Sequence, residues 1–383
     1  THAHLQQQGM TTVARNFVDV GHYFWLVQEL SCVGYPRKWY EIKEADVPEL
    51  FAAAFPKIRT TMMARLFRLM CTDLFDYPAE RELDVRELDG RIRELYEQPG
   101  RAIAILDQAR IQTVTVNTSE SVPLQGAEAC GLYLPMDRET GVEQWLPAIL
   151  EAKDPAAVLD EAKAAIVQKL QSWARAGIPG VRIDILPENL QLLIEPPAAL
   201  PKPLTVDVIK AHLAHALLNA AAGQGLFIQL FLGMARGNGP SMAAHDSQRI
   251  QRLFPVFQHW SECDFELLEA SFLNQAAVAQ AARCYPNVYA GGLWWFNFRP
   301  YAYHELFRTR LDELPPARSC IVATDATTAE WCYAKVMLVK HELALFLEEQ
   351  VKADRLNRAD ALWLAREWLH DAAARRYLRP KSS

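Results

Sequence analysis

The 383-residue chain has no cysteine pair at metal or redox spacing, no basic run and no unbroken apolar stretch of membrane length. Its seven cysteines (Cys32, Cys71, Cys130, Cys263, Cys284, Cys320 and Cys332) are odd in number and scattered. That excludes a disulfide framework and a thiolate zinc cluster, and it reads as reduced core thiols of a cytoplasmic protein. A net charge of −6 and a pI near 6.0 argue against a general nucleic-acid binder. The longest apolar stretch, 214–235, is broken by Asn219, Gly223, Gln224, Gly225 and Gln229. A membrane span needs about 20 mostly apolar residues, so no membrane partner is expected. No signal peptide precedes the first motif, and there is neither an internal repeat nor a low-complexity tract. What the chain does have is apolar mass: half of it is hydrophobic, enough for one large core or two modest ones.

Two histidines one residue apart, His2 and His4, open the sequence in Thr-His-Ala-His-Leu. On a strand, residues i and i+2 face the same side, so two imidazoles so placed can chelate one cation. Near the other end, the strand-like run Cys320–Thr324 leads straight into Asp325. First and last strands of a closed parallel barrel are neighbours, which would bring His2, His4 and Asp325 to one mouth. Three such ligands leave open positions on a divalent ion, the arrangement of a catalytic site, with zinc the expected metal. A strand carrying His2 needs residues ahead of it, so a stretch preceding Thr1 is expected.

From about residue 100 onward, strand-like and helix-like segments alternate. Strand candidates are 111–116, 131–134, 181–185, 226–231, 265–268, 287–290 and 320–324. Asp154 with Pro155 opens a helix that Gly177 stops, and Val158, Ala162, Ile166, Leu170 and Trp173 give it one buried stripe. Thr205 opens another, expected to end near Gly223. With the strand of His2 the count reaches eight. The predicted fold is α/β, a (β/α)8 TIM barrel over 1–383 with its active site at the strand C-termini. Residues 22–100, rich in helix formers and charge runs, read as a helical insertion after the first strand.

In this order along the chain, several segments resemble uronate (glucuronate) isomerase, a branch of the amidohydrolase superfamily. Thr1-His-Ala-His-Leu5 is similar to the family's Asp-x-His-x-His-Leu opening, and Gly21-His22-Tyr23 to its His-Tyr-Lys element. Leu134-Pro135-Met-Asp-Arg138 resembles Leu-Pro-x-Phe-Arg. Gln229-Leu230-Phe231-Leu-Gly233 with Arg236 resembles Gln-Leu-His-x-Gly…Arg-Asn. Trp294-Trp295-Phe296-Asn297 matches a Trp-Trp-Phe-Asn segment, the most specific piece, and Thr324-Asp325 resembles the start of Thr-Asp-Ser-Arg. The departures are Phe231 for the fifth-strand histidine, Thr327 for the arginine, Phe24 for the lysine, and Glu139-Thr140 for the Pro-Asp after Arg138.

The resemblance implies a metal-dependent aldose–ketose isomerase acting on a sugar acid. His2, His4 and Asp325 would hold one divalent ion, and Asp325 and Arg138 would be catalytic. Arg236, Trp294, Trp295, Tyr23 and His22 would bind substrate, the last two from a lid. Since adjacent strand residues point opposite ways, at most one of the two tryptophans would line the mouth while the other packs against helices. No lysine ends the presumed fourth strand, so a carbamylated-lysine bridge is not supported. The plainer readings stand beside these. The arginines also suit surface ion pairs, and Glu269 suits a loop bond better than a ligand role. His212 and His215 suit packing, while His245 is the one late histidine placed to replace the missing imidazole. Two other functions compete: a metal-dependent hydrolase or lyase of a lactone, ester or amide, and a non-catalytic binding barrel. A small-molecule partner is expected, and a homo-oligomer stays open.

Overall fold

A computed structural model describes residues 2–3, 5, 12–78, 80–116, 126–127, 130–135, 142–183, 186–235, 242–295 and 297–378, except the side chains of residues 2, 3, 143, 235 and 242. Strands β1 (His2–Ala3), β2 (Val114–Val116) and β3 (Gly131–Tyr133) form one parallel sheet. β4 (Gly180–Ile183), β5 (Phe227–Leu232), β8 (Phe265–Glu269) and β9 (Val288–Ala290) form a second. Between β5 and β8 in the chain, β6 (Met234–Ala235) and β7 (Met242–Ala243) pair antiparallel. The two sheets are joined where Arg182 N–H donates to the Pro135 carbonyl at 2.8 Å. Parallel bridges from Ala290 to Ser319 and from Leu293 to Val322 add an eighth extended segment. The result is an α/β array of eight parallel segments in chain order; among the described residues, no bond from the eighth segment back to β1 is recorded.

Helices separate the strands where the sequence places them. Asp154 accepts from Ala157 N–H to cap the Pro155–Arg175 helix, which buries Leu159, Ala162, Ile166, Leu170 and Trp173. Leu159 takes the place expected of Val158. Thr205 caps Val206–Gln224 through Val208 N–H, and that helix runs past Gly223 to Gly225, whose φ of +64° lets the chain reverse. Six α-helices lie between Phe17 and Gln108, in the stretch of chain between β1 and β2. It shares one hydrophobic core with the eighth segment and the long Ala329–Lys352 helix, while β4, β5 and β8 anchor a second core. No described helix is long and apolar enough to cross a membrane.

A cavity of about 360 Å3 lies toward the strand N-termini, lined by Thr115, Gln229, Glu266, Leu268, Cys320 and Val322 among others. The C-terminal helix Ala372–Tyr377 reaches into this end. The Tyr377 hydroxyl donates to Glu266 and accepts from Gln229 Nε2 at 2.8 Å, and Arg376 pairs with Glu266 at 3.1 Å. Arg376 also covers the Tyr289 ring at 3.8 Å. Charges this deeply buried persist only when matched, and here the match ties the chain's end to the strands.

Candidate functional site

The opposite end carries Tyr23, Trp294, Trp295 and Asp325 of the residues singled out in the sequence. The eighth segment stops at Thr324, and Asp325 follows with φ of +50°. Aspartate tolerates the left-handed region better than most side chains. Buried polar groups hold each carbonyl of this turn. Asn297 Nδ2 donates to the carbonyls of Ala323 at 2.7 Å and Thr324 at 2.5 Å. Lys335 Nζ donates to the Thr324 carbonyl at 2.8 Å, and the Tyr23 hydroxyl donates to that of Asp325 at 2.7 Å. Asp325 itself stays half-buried.

Tyr23 arrives from the insertion region at the start of the Phe24–Ser31 helix, its ring stacked on Trp331 at 4.5 Å. Its hydroxyl also accepts from Lys335 Nζ at 2.5 Å. Burial pushes the Lys335 ammonium down to about 7, while the Asp325 charge pulls the other way. Burial, then the same charge, pushes the Tyr23 phenol up. His22 is turned elsewhere: its Nε2 shares a 2.6 Å hydrogen bond with the Tyr35 hydroxyl, and its ring meets Trp39 edge-on. Burial lowers it to about 4, so it is neutral at pH 7.

Aromatic rings pack together near the C-terminal ends of the strands. Phe231 stacks on Trp294 at 4.4 Å and 29°, and its other face carries the Arg182 guanidinium at 3.9 Å. Arg182 is fully buried, and both Nε and Nη2 donate to Gln229 Oε1, at 2.9 and 2.7 Å. Trp295 stands perpendicular to Trp294 and meets Trp25 of the insertion region at 5.4 Å. Both indoles are buried, and neither ring N–H finds a hydrogen-bond partner among the described residues.

Glu269, at the end of β8, pairs in register with Leu232 and so lies on the face opposite Phe231. Arg249 binds it at 2.9 Å and Ser271 N–H donates to it at 3.0 Å. Gly233, φ +81°, must lack a side chain, because a Cβ there would stand 2.0 Å from Glu269 Oε1. Glu269 therefore organises the loops above β5 and β8. His245 is exposed in that loop; His215 contacts Asn219, and His212 lies on the same helix.

No protein-family model matches the chain, and no curated protein matches its sequence. Solved structures do match in three dimensions. A uronate isomerase from Thermotoga maritima is 14% identical with a TM-score of 0.78, covering 98% of this chain and 93% of that one. One from Bacillus halodurans is 15% identical at 0.76, covering 99% and 93%. A glucuronate isomerase from Caulobacter crescentus is 14% identical at 0.75, covering 99% and 91%. The fold is uronate isomerase-like.

In this uronate isomerase-like fold the sequence departures acquire places. Phe231 sits between a cation and an indole, and Thr327 is half-buried two residues after Asp325. Phe24 is exposed. Of the residues expected at the site, the structure brings Tyr23 to Asp325 and sets Trp294 and Trp295 in one aromatic wall. It gives His22 to Tyr35 instead. His2 has its backbone in β1, while its side chain, His4, Arg138 and Arg236 lie outside the described residues. Among the described residues, no three His, Cys, Asp or Glu side chains converge as metal ligands. Lys335 and Arg182 escaped the sequence reading. A lysine alone inside the apolar run Trp331–Val339 was the available signal for the first. For the second it was an arginine inside the apolar strand candidate 181–185.

Proposed function

We propose that this chain is a metal-dependent enzyme of the amidohydrolase type that interconverts aldose and ketose forms of a sugar acid. One observation carries the reading: its fold runs with those of uronate isomerases over nearly its whole length. Closure of the eight segments into a (β/α)8 barrel belongs to the same reading. It is supported by the cavity that β2, β5, β8 and the eighth segment line together, which a flat sheet would not enclose. Further support is the Ala329 N–H bond to the Thr12 carbonyl at 2.8 Å, which ties the segment after β1 to the helix after the eighth.

The donor set suits a borderline divalent ion such as zinc: two imidazoles at strand spacing on His2 and His4, and the half-buried carboxylate of Asp325. When bound, such an ion supplies Lewis-acid polarisation of a substrate carbonyl. The remaining work falls to the chain. Asp325 carries a proton between the two carbons that exchange oxidation level. Arg138 or Arg236 clamps the substrate carboxylate, since a guanidinium binds it in bidentate fashion. Tyr23 closes the mouth from the insertion region, and Trp294 and Trp295 limit its width.

A second reading, hydrolysis of a lactone, ester or amide, is favoured by Phe231 and Thr327, which replace polar groups a sugar acid would use. A structure from Lactobacillus casei, provisionally assigned as a metal-dependent hydrolase, shares the fold at a TM-score of 0.63 and 13% identity. Metal analysis of the purified protein, alongside a panel of uronates and sugar lactones, tests both. Uronate turnover with stoichiometric metal supports the first, and lactone opening supports the second. Bound sugar without turnover leaves a binding barrel.

A further inference from the structure

Lys335 is a lysine in an apolar wall, and nothing above gives it a role. It is fully buried, and its two hydrogen bonds go to neutral oxygens, the Tyr23 hydroxyl and the Thr324 carbonyl. Burying an ammonium is costly, so a lysine is retained where leucine or methionine would pack only if its bonds hold something in place. What they hold is the turn that presents Asp325.

The geometry points to Lys335 as a positioning residue for Asp325, acting through the Tyr23 hydroxyl and the Thr324 carbonyl. The connection is continuous. Lys335 donates to Tyr23, and Tyr23, its own proton thereby directed away, donates to the carbonyl of Asp325. On the other side, Lys335 and Asn297 both grip the carbonyl of Thr324. Asp325 is thus held in its left-handed conformation from both flanks, by one residue of the insertion region and one of the following helix. Strained backbone persists only where its surroundings over-determine it. This inference rests on the reading of Asp325 as a metal ligand, but only in its functional half.

The test has two arms. In crystals of Lys335→Met, an uncharged side chain of similar length, Asp325 is expected to leave the left-handed region or to occupy more than one conformation. A wild-type Asp325 in that variant overturns the assignment. In solution, zinc affinity is measured by competition with a chromophoric chelator. Lys335→Met should weaken zinc at least tenfold in the wild-type background and leave it unchanged in Asp325→Asn. A merely structural lysine would lower affinity equally in both backgrounds, and a tightening of zinc on losing the cation would show that repulsion, not positioning, is its effect. Either result sinks the idea. If Lys335→Met does not fold, Tyr23→Phe removes the same link while keeping the buried ring, and the same outcomes apply. If the wild type takes up no zinc, the metal reading fails, and the crystallographic arm still decides Lys335.

Discussion

The Phe231 ring lies 4.4 Å from that of Trp294 and nearly parallel to it, with the Arg182 guanidinium 3.9 Å away on its opposite face. A cation, a benzene ring and an indole are therefore stacked in series across the strand C-termini, filling space where a polar side chain would meet water and ligand.

Phe231→Ala should empty the middle of that stack and destabilise the fold by about 3 kcal/mol, the low end for losing a phenylalanine ring because this one is only half-buried. Phe231→His would instead put an imidazole beside the expected metal position and should raise zinc occupancy of the purified protein. Urea unfolding checks the first. Elemental analysis checks the second, and unchanged zinc in the histidine variant would count against the site as drawn.

A second expectation concerns the buried pair Glu266–Arg376, both 3% exposed at the side chain. Removing only one partner strands a charge in low dielectric, so Arg376→Met should cost about 3–5 kcal/mol. Glu266→Leu with Arg376→Met should recover most of that loss, because no charge is left unpaired. If the double variant is as unstable as the single one, charge matching is not what docks the C-terminal helix.

The strands and helices were legible because their signals are local. β-Branched runs mark β2 and β4, and Asp154-Pro155 and Thr205 open helices where their oxygens cap the first turn. The helix expected to stop at Gly223 continues to Gly225 because only there does the backbone turn to positive φ, and sequence does not distinguish two glycines two residues apart. Asp325 and Tyr23 were legible as site residues from the resemblance. The partnership of Tyr377 with Gln229 was not, since the two lie 148 residues apart and neither shows periodicity that points to the other. Lys335 was hidden for a related reason: what decides its meaning is a tyrosine 312 residues away.

His22 makes stability pH-dependent in a defined window. In the unfolded chain its imidazole takes up a proton near 6.5, whereas the folded protein holds it neutral down to about 4. Between those values the unfolded state binds more protons. Folding stability therefore falls as pH drops from about 6.5 toward 4, and this contribution is constant above 6.5. The loss is on the order of 3 kcal/mol for a shift of this size. In chemical denaturation at several pH values, the difference between wild type and His22→Phe should move by that amount across the window. A difference that stays constant from pH 7 to pH 4 would show that burial does not keep the ring neutral.

The last expectation is that this chain turns over D-glucuronate and D-galacturonate poorly. Holding a carboxylate in a cavity takes at least one charge-assisted, preferably bidentate contact. Two residues after Asp325, where the resemblance leads one to expect an arginine, stands the half-buried Thr327, with the buried Ala326 between. One arginine, Arg138 or Arg236, is left as a clamp, and a carboxylate gripped from one side leaves the reacting carbons free to rotate away from Asp325. Misorientation of that kind can cost on the order of 100-fold in rate. Phe231 works in the same direction, since its ring is spoken for by Trp294 and Arg182 and offers a sugar hydroxyl nothing to bond. A substrate with a smaller or neutral group at that end fits Thr327 better. Steady-state assays with zinc-loaded protein should give weak binding and slow turnover for both uronates, and Thr327→Arg should improve kcat/KM for at least one of them. Brisk turnover by the wild type would show that the threonine costs the reaction little and that the carboxylate is held elsewhere.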